Sequence, residues 1–132
     1  MPILIDGWNL IRNRRSDIRD DDDGSLDSVI TLIAYLEDFQ VTHNDPIIVV
    51  FDSSREFLDI DHRNSPKLKI MPAKNADNYI KKYLDKVPEK QRRNVRVVSS
   101  DNEIYFYARS SYATPVKCED FWVKLKAGYE RL

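Results

Sequence analysis

Cysteine is nearly absent from this 132-residue chain: Cys118 stands alone. A lone thiol cannot close an intramolecular bridge, which excludes a disulfide scaffold and points to a reducing compartment. With only two histidines and one cysteine, no zinc-type ligand spacing exists, and with three glycines no phosphate-cradling glycine loop exists. A Ser-His-Asp signature is missing too. No apolar run approaches the ~20 residues of a membrane span, and the opening Pro2–Ile5 stretch is too short for a signal peptide. A cytoplasmic protein is therefore expected. Charge of one sign is also lacking, because 21 basic and 22 acidic residues leave a net charge of −1. That balance neither supports nor excludes a nucleic-acid partner, since the charges can segregate into patches.

What is present suits one globular domain spanning residues 1–132. The hydrophobic fraction is 42% and the charged fraction 33%, and a chain of this length buries about two-thirds of its unfolded surface. Short apolar runs alternate with helical periodicities. Pro2–Ile5, Ile47–Phe51, Val95–Val98 and Pro115–Cys118 read as strands, the first two too continuous for a strand with one wet face, and Lys67–Met71 adds another. Leu26, Val29, Ile30, Ile33, Leu36 and Phe39 recur at helical spacing, with Ser25 or Asp23 as caps. Tyr79–Leu84 marks a second helix. A third spans Ile104–Arg109, opened by Ser100 and Glu103 in capping-box spacing, and a fourth runs from Glu119 to Tyr129. Strand–helix alternation predicts an α/β fold with a mostly parallel sheet of about five strands between two helical layers. Arg12–Gly24 and Ser53–Pro66 read as long loops.

Ligands of open parallel sheets sit beyond the carboxyl ends of the strands, so the strand ends become candidate sites. The first strand ends in Asp6 and the second in Asp52. The one from Val95 runs through Ser99-Ser100 into Asp101, and Asp77 follows Lys74-Asn75-Ala76 at the start of a helix. Carboxylates gathered this closely repel one another unless a cation neutralises them. Hard ions such as Mg²⁺ or Mn²⁺ take oxygen ligands, lower the pKa of a bound water and clamp a phosphate oxygen, as phosphodiester hydrolysis requires. Asn9, three residues past Asp6, offers an amide to a phosphate or a water.

Each acid also has a plainer reading. Asp101 lies in a capping segment and Asp77 in a helix first turn, where the dipole favours acids, and Asp52 precedes two turn-forming serines. The coincidence of four acids at one sheet edge carries the metal-site expectation. The Asp20–Asp23 run reads as a solvated loop, as does Asp59–His62, and His43 and His62 have no partners in sequence. An Asp-x-Asp phosphatase motif is excluded, because Trp8 stands where its second acid belongs.

The segment Ile3-Leu-Ile-Asp-Gly-Trp-Asn-Leu-Ile11 resembles the opening motif of NYN domains, PIN-like nucleases that include the YacP-type ribonucleases. Ile48-Val-Val-Phe-Asp52, Asn75-Ala-Asp-Asn-Tyr-Ile80 and Val97-Val-Ser-Ser-Asp-Asn-Glu-Ile104 match the same pattern in order. Val116 through Glu119-Asp120-Phe121 is similar to its final strand and helix. The resemblance implies a PIN-like fold and a metal-dependent endoribonuclease with an Mg²⁺ or Mn²⁺ site. Asp6, Asp77 and Asp101 would be the principal metal-site acids, with Asp52 supporting and Asn9 beside them. Trp8 replaces the usual tyrosine, Asn75 the usual threonine or serine, and Ser110–Ala113 lacks the glycine often found before the last strand.

RNA needs positive charge around such a pocket. Arg12, Arg14 and Arg15 follow the first motif, Lys74 precedes Asp77, and Arg55 follows Asp52; Lys81 and Lys82 read as ordinary surface charges. Trp8 is placed either to stack on a base or to pack. RNA is the expected partner, alone or in a ribosome or other RNA–protein assembly. Two rivals remain, a non-catalytic RNA- or partner-binding domain and a structure-selective DNA nuclease. Phe106, Tyr107, Tyr112 and Trp122 are aromatics for a surface patch, although the third and fourth helices call for most of them as core.

Overall fold

The computed structural model describes residues 2–16, 18, 26–52 and 64–129. Among the described residues there are five strands, β1 (Ile3–Asp6), β2 (Ile47–Asp52), β3 (Leu68–Ala73), β4 (Arg96–Val98) and β5 (Thr114–Val116), and six helices. These are α1 (Gly7–Ile11), α2 (Leu26–Thr42), α3 (Ala76–Lys86), α4 (Glu89–Arg92), α5 (Asn102–Ser110) and α6 (Cys118–Tyr129). The sheet order is β3-β2-β1-β4-β5. Every pairing is parallel, with Ile3 opposite both Ile47 and Arg96, Ile47 opposite Leu68, and Arg96 opposite Thr114. Both edge strands carry a proline, Pro72 in β3 and Pro115 in β5. An edge tolerates the missing N–H, and the proline discourages further pairing.

Side-chain alternation along the strands sorts the core into two layers. Ile3, Ile5, Ile47, Val49, Phe51 and Val98 face a cluster containing Leu10, Ile11, Leu36, Phe39, Phe121, Trp122 and Leu125. Leu4, Val50 and Val97 face the other way, onto Ile80, Leu84, Ile104 and Ala108. The placement follows from right-handed crossovers. The chain moves from β1 to β2 over one face through α2, then returns past β1 to β4 and β5 over the opposite face through α3 and α5. That reversal puts a topological switch point between β1 and β4, where the carboxyl ends splay to leave a crevice.

Several boundaries depart from expectation for local reasons. Gly7–Ile11, expected to lead out of the first strand, is a helix, and α4 is a single turn after Pro88. Neither is long enough to show a periodicity. The last strand begins and ends earlier than Pro115–Cys118, because Cys118 opens α6. Helix α5 is capped by Asp101 rather than Ser100. Trp122 is buried core. Of the other patch aromatics Tyr107 is half-buried and Phe106 and Tyr112 are exposed; α5 turns Phe106 away from the sheet, and Tyr112 lies beyond its end. The proposed caps Ser25 and Asp23, the Asp20–Asp23 run, Arg55, Asp59, Asp61 and His62 lie outside the described residues.

Gly7 couples the first strand to the site. A β-carbon there would lie 2.4 Å from the Phe51 ring, which is fully buried and held edge-on to Trp8 at 4.8 Å between centroids. The ring has nowhere to swing. Gly7→Ala is expected to destabilise the domain by about 1–3 kcal/mol, the usual cost of overpacking, and Phe51→Leu to recover part of it. Thermal unfolding checks this, and an unchanged melting temperature in Gly7→Ala would contradict the packing described.

Candidate active site

Four chain segments deliver acids to the crevice. Asp6 closes β1, Asp52 closes β2, Asp77 lies in the first turn of α3 beyond β3, and Asp101 caps α5 beyond β4. Asp6, Asp52 and Asp77 line one pocket of about 320 Å³ together with Trp8, Asn9, Arg12 and Ala76. Carboxylate oxygens of Asp77, Asp101 and Glu103 lie within 4.8 Å of one another. A hard cation holds oxygens at about 2.1 Å, so pairs up to ~4.2 Å apart span it directly. The 4.8 Å that bounds this cluster lies a little above that span.

Both helix-terminal acids realise their plainer reading while remaining in the cluster. One oxygen of Asp101 accepts the Glu103 N–H at 2.8 Å and the Ile104 N–H at 3.3 Å. Asn75, not Asp77, caps α3, its side chain accepting the Asn78 N–H at 3.1 Å. Capping and ligation are compatible, because a carboxylate has a second oxygen and the helix N-terminus itself favours anionic groups. Glu103 is the residue that sequence reasoning passed over. It was legible only as a capping partner, yet its position two residues after the cap puts it at the same helix end. There it pairs with Lys81 at 2.7 Å, so Lys81 belongs to the edge of the site.

Among the described residues the site is short of positive charge. Burial pushes the Asp6 carboxyl up to about 7, helped by the negative charges of Asp77, Asp101 and Asp52. The Asn9 backbone N–H pulls the other way, at a geometry too poor for a capping hydrogen bond. Asp77 is raised as well, by burial first and then by Asp101 and Glu103, with Lys81 opposing.

Hydrogen bonds hold the two sides of the crevice together. Asn9 Oδ1 accepts the Ser100 N–H at 2.7 Å and the Cys118 thiol at 3.1 Å. The thiol can donate because burial pushes it up to about 12. Ser100 accepts the Cys118 N–H at 3.0 Å and donates to Glu119 at 2.9 Å, which holds Glu119 below the usual carboxylate range. Asn9 thus spends its oxygen on the scaffold, leaving its Nδ2 for a ligand. Trp8 is packed, not splayed for stacking. It is buried against Phe51, and its indole donates to the Asp52 carbonyl at 3.3 Å.

This arrangement has known counterparts. The sequence model of one family, described as a YacP-like NYN domain, matches residues 3–131. The chain belongs to that family. Two crystal structures of Rae1 (YacP) from Bacillus subtilis share the fold. One, of a point mutant, has a TM-score of 0.74 at 19% identity over 98% of this chain and 77% of that one. The other has a TM-score of 0.73 at 16% identity over 99% and 76%. No curated protein sequence matches the chain. The four ordered motifs that resemble NYN ribonucleases therefore sit inside a match along the whole domain, and the PIN-like three-layer architecture is the one observed.

Around the acids of this NYN domain the cations are unevenly placed. Arg12 lines the pocket, its guanidinium 5.4 Å from the Trp8 ring centroid. Arg14 and Arg15 are exposed just beyond it, Arg14 bearing on Glu119, and Lys74 is exposed ahead of the Asn75 cap. His43 is remote from them, stacked on Phe39 at 3.9 Å.

The raised Asp6 carboxyl fixes a pH dependence. Its folded value lies above its unfolded one, so the proton it holds contributes stability that is present below pH ~4 and is lost as pH rises through about 7. Metal-free protein is expected to melt at progressively lower temperature between pH 4 and 7, and Asp6→Asn to flatten that slope and melt higher at pH 8. Melting curves in EDTA across that range check it; an Asp6→Asn profile parallel to wild type would contradict it.

Proposed function

We propose that this NYN domain is an Mg²⁺- or Mn²⁺-dependent endoribonuclease that hydrolyses RNA phosphodiester bonds. The observation that carries the reading is the convergence of Asp6, Asp52, Asp77, Asp101 and Glu103 on one crevice, with Asp6 pushed up to about 7. Stability alone would not maintain mutually repelling carboxylates there. Asp77 and Asp101, with Asp6 and Glu103, would hold the ion, and their oxygen-only donor set fits a hard divalent cation. When bound, such an ion supplies Lewis-acid stabilisation of phosphoryl charge and an acidified water.

The remaining roles belong to the chain. Asp52, exposed at the pocket rim, is a supporting acid that adds to the negative charge drawing in the cation. Asn9 Nδ2 orients a phosphate oxygen while its Oδ1 keeps the β1 and β4 sides in register. Arg12, with Arg14, Arg15 and Lys74 around it and Arg55 following Asp52, supplies the phosphate contacts that give non-specific affinity. RNA is the substrate, free or within a ribosome or other RNA–protein assembly. Among the described residues no helix is long and apolar enough to cross a membrane, and a buried unpaired thiol at Cys118 suits the cytoplasm.

The test is cleavage of mixed RNA and single-stranded DNA by purified protein in Mg²⁺, Mn²⁺ or EDTA, beside an Asp6→Asn, Asp101→Asn double variant. RNA cleavage that needs the metal and falls at least ~10²-fold in the variant is expected, in line with loss of preorganised charge stabilisation. Metal-independent RNA binding without cleavage would establish the non-catalytic domain instead, and preferential cutting of DNA the DNA nuclease.

A further inference from the structure

Beyond the C-terminal end of α5 the backbone does something unexpected. The helix closes in a Schellman motif, the Ala113 N–H bonding the Ala108 carbonyl at 2.9 Å and the Tyr112 N–H the Arg109 carbonyl at 3.1 Å. This motif places its penultimate residue in the left-handed region, which favours glycine. Here that residue is Tyr112, at φ 68°. Its ring is not held by the core, since the residue is 64% exposed. A side chain that strains the backbone and packs little has its use in solvent.

The ring borders a groove of about 940 Å³ that is also lined by Pro88, Glu89, Lys90, Gln91 and Arg93. Residues 86–96 contain five basic side chains and one acid in a chain of net charge −1. Arg92 is committed to the scaffold, its guanidinium donating to the Val87 and Asp85 carbonyls at 2.9 and 3.3 Å. Lys86, Lys90 and Arg93 are exposed, as is Arg109 at the end of α5. An exposed aromatic beside cations is the pairing that stacks a base and holds its phosphates.

The groove lies at the amino ends of the strands, since residues 88–93 precede β4 and Tyr112 precedes β5, opposite the acids of the crevice, and α5 joins the two edges. Its N-terminus carries Asp101 and Glu103, and its nine residues reach about 13 Å. Between those ends Phe106, 55% exposed, and Arg109 follow Glu103 at three-residue spacing along one face. We propose that a single strand of RNA leaves the acidic crevice along this face of α5 and is anchored in the groove by Tyr112, Lys90 and Arg93. The inference rests on the ribonuclease reading and adds to it a distal binding surface that the acids and the arginines beside them do not require.

Two variants, Tyr112→Gly and Lys90→Glu/Arg93→Glu, test it by fluorescence anisotropy with a 30-nucleotide single-stranded RNA in Ca²⁺ and rising salt. Tyr112→Gly is expected to melt roughly 3–5 °C higher, because glycine relieves the left-handed strain, while binding about fivefold more weakly. The charge-reversal pair is expected to lose tenfold or more and to flatten the salt dependence by about 1.4 in slope, two phosphate contacts' worth. A stabilised Tyr112→Gly that binds like wild type, or an unchanged salt slope, would overturn the surface while leaving the ribonuclease reading standing. Wild-type protein that binds no RNA would overturn both.

Discussion

Electrostatic repulsion among carboxylates at the carboxyl edge of the sheet is the constraint on which the rest of the structure turns. Parallel strands end at the same edge, so acids that terminate β1 and β2 and those that open α3 and α5 arrive together whatever their spacing in sequence. Among the described residues little positive charge answers them. Lys81 reaches Glu103, Arg12 borders the pocket, and Asp6 is left half-buried with its carboxyl near 7. Such a site is poised to gain a cation and costs stability without one.

Holding repelling groups in place demands a scaffold that does not yield. The crevice is braced by hydrogen bonds. Asn9 bridges to the Ser100 backbone and the Cys118 thiol, Ser100 ties Cys118 to Glu119, and the buried Trp122 indole donates to the Leu10 carbonyl at 2.7 Å. These contacts tie α1 to the segment after β4 and to α6, the elements that flank the switch point. The close approach of Gly7 to Phe51 serves the same end, seating α1 directly on β2. Breaking the network would displace the acids of the crevice before it cost the fold, since hydrophobic layers on both sheet faces remain.

Much of this was legible in the residues. Continuous apolar runs marked buried strands, and the rule that ligands sit at carboxyl ends then singled out Asp6, Asp52 and Asp101, with Asp77 at a helix start as a fourth candidate. What escaped did so for identifiable reasons. Helices α1 and α4 have five and four residues, too few for a 3.6-residue period to declare itself. Glu103 resembled a capping partner because it is a helix first-turn acid, and only the fold shows that the turn faces Asp77. Trp8 had two readings until the sheet placed it against Phe51. Tyr112 was legible as the residue standing where a glycine is common and as one aromatic of a surface patch; its strained backbone emerges only from the dihedral angle, which no periodicity encodes.

The central claim is that these acids form a single site completed by a hard divalent cation, and Mn²⁺ binding to metal-free protein at pH 8 tests it most directly. Electron paramagnetic resonance of free Mn²⁺, followed with the melting temperature during titration, reads both occupancy and stabilisation. Saturable binding that raises the melting temperature, and that is weakened at least ~tenfold in Asp77→Asn and in Asp101→Asn, is the predicted result. Absence of binding, or binding indifferent to both substitutions, would contradict the account.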